Sequence, residues 1–130
     1  MTDQYRPPPR SWPGKFRDAF RGTWRAFRDE RSLHVHLAFA VAVIVAAAVL
    51  KVSIAEWCIL LLCITIVLVA EMLNTALEHL AKAIDRSENQ HIGTALDIGS
   101  AAVLVAAVGA VAVGCIVFAV RLAIWWNGGP

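Results

Sequence analysis

The sequence predicts an all-α integral membrane protein, with three membrane-spanning helices and an N-terminal amphipathic helix on the membrane surface. Three observations carry that prediction. Hydrophobic residues make up 58% of the 130 positions and charged residues only 17%, with a mean hydropathy of +0.62, a balance that belongs to the bilayer rather than to a soluble core. The apolar residues fall into three long runs. Eight of the twelve lysines and arginines (Arg6, Arg10, Lys15, Arg17, Arg21, Arg25, Arg28 and Arg31) precede the first run. A chain of this length is one domain at most.

The elements follow in order. Residues 1–14 contain Pro7-Pro8-Pro9 and Pro13-Gly14 among polar neighbours and predict a disordered tail; the folded domain runs over 15–126. Between 15 and 31, Phe16, Phe20, Trp24 and Phe27 recur at helical spacing, with Arg17, Arg21, Arg25 and Arg28 alongside. An aromatic face bordered by arginines describes a helix lying in the membrane interface. A basic helix also suits nucleic acid, but the adjacent spans argue against that partner.

The first span, about 34–51, has an apolar part of only fourteen residues, Leu37 to Leu50, and must borrow its flanks to cross a core ~30 Å thick. Lys51-Val52-Ser53 marks a tight turn, with Trp57 an anchor at the far interface. The second span covers about 54–80. A polar connection over 81–97 leads to the third, about 98–121, whose small residues Gly99, Ser100, Gly109 and Gly114 suit close helix packing. Three spans put the N-terminus and the 81–97 connection on one side. The excess of Lys and Arg there makes that side cytoplasmic, as in a bacterial inner membrane. The first apolar segment starts late and no small-residue cleavage site follows it, so no signal peptide is predicted. Cys58, Cys63 and Cys115 lie within apolar runs without CxxC spacing and read as small core residues. His34, His36, His79 and His91 are too scattered for a histidine metal site.

The informative stretch is Glu71-Met72-Leu73-Asn74-Thr75-Ala76-Leu77-Glu78. It interrupts the second span after fourteen uncharged residues, Trp57 to Ala70. At ~100° per residue, Asn74 lies ~60° and Glu78 ~20° from Glu71 around the helix, so the three share one stripe. A carboxylate in an apolar helix costs roughly 2.5–3.5 kcal/mol on insertion scales, and a cation or a reacting group is what offsets it. The plainer alternative pairs Glu78 with Lys82 four residues on and makes Asn74 interhelical glue. Glu30, Glu71, Glu78 and Asp97 should all fall near the cytoplasmic face, bringing four carboxylates from four chain segments to one depth.

Such a set suits Mg²⁺, which takes one or two carboxylates plus substrate phosphates, and leaves an acid to accept a proton during phosphoryl transfer. A base at the membrane boundary implies an acceptor alcohol that lives in the lipid. An intramembrane glutamate equally suits a proton-coupled small transporter, and the residues alone leave both open.

The block Glu71-Met-Leu-Asn74-Thr-Ala-Leu-Glu78, followed by Ala95-Leu96-Asp97-Ile-Gly-Ser-Ala-Ala-Val-Leu104 and preceded by Glu30-Arg31-Ser32 and His36, resembles the prokaryotic integral-membrane diacylglycerol kinases, a family that includes the undecaprenol kinases. The resemblance covers roughly residues 15–120. It implies a homotrimer of three-span subunits with shared active sites, using ATP and Mg²⁺ to phosphorylate a membrane lipid alcohol. By position it implies Glu71 as catalytic base with Asn74 beside it, Glu30 and Glu78 as metal ligands, and Asp97 near the nucleotide. Ser87, Glu88 and Asn89 fall where the family's nucleotide-contacting loop runs. Two departures stand out: Leu96 replaces the family's lysine, and Lys82 replaces its aspartate. Lys82 lies ~20° from Glu71 around the helix, so it extends the stripe and is expected to reach the phosphates in place of the missing lysine. The Glu30-Arg-Ser…His36 segment and the Ser53…Glu56-Trp57 turn look more like the undecaprenol branch, which ranks that polyprenol above diacylglycerol. An inactive member with a structural role is the remaining alternative.

Overall fold

The structure is a computed structural model that describes residues 11–84 and 89–128. It consists of four helices: α1 (Trp12–Asp29), α2 (Arg31–Val49), α3 (Ile54–Ile84) and α4 (Gln90–Trp126). The last three are each long and apolar enough to cross a membrane. α3 and α4 share the longest contact, α2 packs mainly on α3, and α1 touches the ends of both α2 and α3.

α1 begins earlier than the proline-rich composition predicts. Trp12 already lies in the helix, and Pro13 falls in its first turn, where a fixed φ and a missing N–H do no harm. The expected tail therefore ends before Trp12, with residues 1–10 outside the described part. Trp12, Phe16, Phe20 and Trp24 are all exposed and form one stripe. Arg25 lies nine residues, ~180°, from Phe16, so it sits opposite the stripe and faces the bundle rather than running along the aromatic edge.

Glu30 alone separates α1 from α2. Its backbone is extended (φ −104°, ψ 116°), and it ends one helix and starts the next without capping either through its side chain. α2 buries Leu33, Ala40 and Ala47; α3 buries Leu60, Val67 and Asn74. Both sets repeat every seven residues, the spacing of a left-handed helix pair. Asn74 thus occupies a seam position that Leu60 and Val67 fill with hydrocarbon.

The far turn is closed by two linked motifs. Lys51, at φ 51°, follows the C-cap of α2, and its N–H reaches Ala48 O (3.3 Å) while Val52 N–H reaches Ala47 O (3.1 Å). This is a Schellman arrangement with lysine where glycine is usual, and the accompanying apolar contact is present, since Val52 and Ala47 are both buried in the core with Leu60 and Val117. Ser53 then opens α3 in a capping box with Glu56: Ser53 Oγ accepts from Glu56 N–H (3.4 Å), and Ser53 N–H donates to Glu56 Oε2 (2.6 Å). Trp57, half-buried, packs against this core.

The polar connection expected over 81–97 is mostly helical. α3 continues to Ile84 and α4 starts at Gln90. At 1.5 Å per residue they are ~46 and ~55 Å long, well beyond a ~30 Å apolar layer. Polarity marked where the membrane ends, not where the helices do. Of the third-span glycines, only Gly99 makes the close approach expected. A Cβ on Gly99 would lie 2.5 Å from Asn74 Oδ1, whereas at Gly109 and Gly114 it would meet nothing within 4 Å.

Candidate active site

The buried polar side chains among the described residues are Glu71 (4% exposed), Asn74 (8%) and Thr75 (8%). Glu71 and Asn74 lie one turn apart on the stripe the sequence singled out, and Thr75 adjoins Asn74. Burying a carboxylate and an amide against hydrocarbon is unfavourable unless each finds partners. Here they find few. Glu71 Oε2 faces His36 Nε2 of α2 at 3.9 Å. Asn74 Nδ2 donates to Glu78 Oε1 (3.0 Å) one turn on. Asn74 Oδ1, pressed against the backbone of α4 at Gly99, is buried and accepts no hydrogen bond.

Glu30 joins this region from the helix junction. Its carboxylate meets His79 Nε2 at 3.1 Å, a contact between residues 49 apart in sequence. Because His79 follows Glu78 directly, Glu30 and Glu78 reach the same turn of α3. Each has one carboxylate oxygen engaged by a neighbouring side chain. Mg²⁺ usually takes one or two carboxylates from a protein, with water and substrate phosphates in its other positions; Glu30 beside His79 and Glu78 beside Asn74 are carboxylates of that kind at one level of α3. They are no all-protein cage: among the described residues, no group of three or more His, Cys, Asp or Glu is placed to hold a metal ion.

The four carboxylates do not converge within one chain. Gly99 faces Asn74, and Asp97, two residues earlier, is rotated ~200° around the helix. Asp97 therefore points away from α3 and is exposed. Equal depth was legible in the sequence; the direction around α4 was decided by Gly99. Leu96, ~60° from Gly99, is half-buried on the side near α3. Asn89 has its side-chain oxygen committed to capping α4, accepting from His91 N–H (3.0 Å) and Ile92 N–H (3.4 Å). Ser87 and Glu88 lie outside the described residues. Lys82 is exposed on the turn after Glu78.

Two cavities flank the stripe. One, of about 440 Å³, is an apolar groove among α2, α3 and α4, lined by His36, Ala40, Val67, Ala110, Gly114 and Phe118 among others. Cys63 and Cys115 also line it, rather than filling the core as their apolar surroundings predicted. His36 is common to the groove and to the Glu71 contact, so it stands between the groove and the buried carboxylate. The second cavity, of about 410 Å³, lies between α1 and α3 and is lined by Arg25, Asp29, Glu30, Thr75 and His79 together with small and apolar side chains. Both volumes are in the range of ligand sites. Sequence reasoning missed His79 and Arg25. Neither carries a local signal, since one pairs over 49 residues and the other sits within a run of arginines.

Comparison with known proteins gives these contacts a context. The family described as prokaryotic diacylglycerol kinase matches residues 17–118. The undecaprenol kinase of Bacillus subtilis is 36% identical over 107 residues, which is 82% of this chain and 87% of that protein. The diacylglycerol kinase of a Synechocystis species is 37% identical over 100 residues, 76% of this chain and 57% of that longer protein.

Proposed function

The chain belongs to the prokaryotic diacylglycerol kinase family and is a membrane lipid kinase, and from that footing we propose that it transfers the terminal phosphoryl group of ATP, as its Mg²⁺ complex, to the hydroxyl of undecaprenol in preference to diacylglycerol. The observation that carries the proposal is the position of Glu71, buried on α3 with His36 between it and the apolar groove. A single isoprenoid chain lies in that groove and brings its hydroxyl to the carboxylate. The hydroxyl oxygen attacks the γ-phosphorus, the bond from phosphorus to the ADP oxygen breaks, and the proton passes to Glu71. Asn74, whose side-chain oxygen has no hydrogen-bond partner, orients the hydroxyl. Glu30 and Glu78 would hold Mg²⁺, which would supply positive charge to the phosphate oxygens.

Family membership removes the transporter alternative. The choice of undecaprenol draws support from the relative named for that activity, which this chain matches over most of its length. We place the N-terminus and the α3–α4 junction in the cytoplasm, on the excess of Lys and Arg there. α1 rests its aromatic stripe in the interface. The exposed apolar faces of α2, α3 and α4 meet lipid and two further copies in a homotrimer. Asp97, turned outward from its own α3, then serves with Lys82 and Asn89 on the nucleotide side of a shared site.

Purified protein in detergent with ATP and Mg²⁺, offered undecaprenol and diacylglycerol separately, tests the reading. Undecaprenyl phosphate should form at the higher kcat/KM. Faster phosphorylation of diacylglycerol reverses the substrate ranking, and transfer to neither makes the chain an inactive member.

A further inference from the structure

The function proposed above uses one flank of the Glu71 stripe for lipid and, of the cavity between α1 and α3, only Glu30 at its rim. The charges around that cavity are unevenly satisfied. Glu30 is engaged by His79 at 3.1 Å, and Asp29 by Arg28 at 3.5 Å. On the same helix, Arg21 is paired with Asp18 at 2.9 Å. Arg25, which lines the cavity, forms no ion pair among the described residues. Across the cavity, Thr75 is also uncommitted. Thr23, Thr65 and Thr94 each turn their hydroxyls back onto the carbonyl four residues earlier, and Thr75 makes no such bond among the described residues.

Orientation separates Arg25 from the other arginines of α1. A guanidinium destined for lipid headgroups borders the aromatic stripe, as Arg17 does, ~100° from Phe16; Arg25 is ~180° away and faces α3. Its planar fork matches two oxygens of a phosphate, and a hydroxyl opposite supplies a third contact. The acids at the cavity rim would repel a bare anion, so a phosphate enters with its metal. Those acids include Glu30, one of the two proposed metal ligands.

Resting on the kinase reading, we infer that Arg25 is a phosphate-binding cation of the site in addition to Lys82: it holds the polyphosphate of the nucleotide donor in the cavity between α1 and α3, with Thr75 opposite. Arg25 therefore supplies from the surface helix the positive charge that Leu96 does not supply from α4. It acts in nucleotide binding rather than on the lipid.

The test uses the full chain in nanodiscs, with folding of each variant checked by helicity and monodisperse elution. Two quantities are read: KM for Mg·ATP against KM for undecaprenol, and equilibrium binding of a non-hydrolysable Mg·ATP analogue without lipid substrate. Removing a charge-assisted hydrogen bond should raise both the ATP KM and the analogue Kd in Arg25→Ala by about ten- to a hundredfold, with the lipid KM unchanged. Arg25→Lys should recover part of the loss. Gly22→Leu, which narrows the cavity without altering its charge, should also weaken the analogue, and Arg17→Ala should match the wild type. Unchanged ATP KM and analogue binding in Arg25→Ala overturn the inference. If its activity instead varies with the phosphatidylglycerol content of the nanodisc, the guanidinium serves the headgroups and the inference is overturned as well. A wild-type chain that phosphorylates neither lipid sinks the kinase reading, and the analogue-binding comparison then still decides the role of Arg25.

Discussion

α3 carries one glutamate in its first turn and another near its middle, and they are treated in opposite ways. At the N-terminal end, Glu56 is saturated. Its carboxylate accepts from Ser53 N–H (2.6 Å) and Ser53 Oγ (2.7 Å), and from Arg121 Nε on α4 at 2.9 and 2.8 Å; Arg121 Nη2 adds a further contact. Near the middle of the helix, Glu71 is more deeply buried yet has only a histidine 3.9 Å away. Its neighbour Asn74 keeps a buried oxygen without a partner. An acid with every lone pair used fastens a fold, while an under-partnered one is held ready for something that is not protein. Under the proposed function, the difference leaves Glu56 to structure and Glu71 to chemistry.

The sharpest way to break the comparison is to remove proton acceptance from Glu71 without changing its shape. Glu71→Gln should fold and insert, yet lose phosphoryl transfer by about 10²–10⁴-fold, the usual cost of a missing general base. Measuring kcat with saturating ATP and lipid checks this, and a rate near the wild type removes Glu71 from the mechanism. A smaller effect is expected from Gly99→Ala. The new methyl would lie 2.5 Å from Asn74 Oδ1 and 3.2 Å from Leu77 Cδ1, so Asn74 must turn and its bond to Glu78 must break. Overpacking of this kind costs about 1–3 kcal/mol. kcat should fall along with the unfolding midpoint, whereas Gly109→Ala, with open space around it, should change neither. Smallest is Lys51→Gly at the structural end, where a left-handed residue carries a Cβ. Glycine should stabilise the protein by roughly 1 kcal/mol, read as a higher unfolding midpoint in detergent, with transfer kinetics unaltered.

How much of this was legible beforehand follows from which signals are local. The three apolar runs and the Glu71–Asn74–Glu78 stripe rest on spacings within one helix, and the structure contains each of them. The helical extensions of α3 past Leu80 and of α4 before Ile98 were read as a loop, because beyond the membrane a helix loses the apolar pattern that identifies it. Asp97 was placed with the other acids because depth depends only on counting residues along a span. Its direction depends on the face α4 presents, fixed by the fit of Gly99 against Asn74. The Glu30–His79 pair and the turning of Arg25 toward α3 exist only once α1 is docked, and no spacing within α1 encodes them.

The most direct measurement of the central claim crosses two variants with two readouts. Glu71→Gln and Glu56→Gln are assayed side by side for the rate of lipid phosphorylation and for the midpoint of thermal unfolding in the same detergent. The account predicts opposite losses. Glu71→Gln should lose its rate and keep its midpoint, while Glu56→Gln, having weakened the tie to Arg121 and Ser53, should unfold at lower temperature and keep the per-molecule rate of the protein that remains folded. Variants that lose rate and midpoint together, or a Glu56→Gln enzyme that is folded but inactive, would contradict the division of α3 into a fastening first turn and a reacting middle.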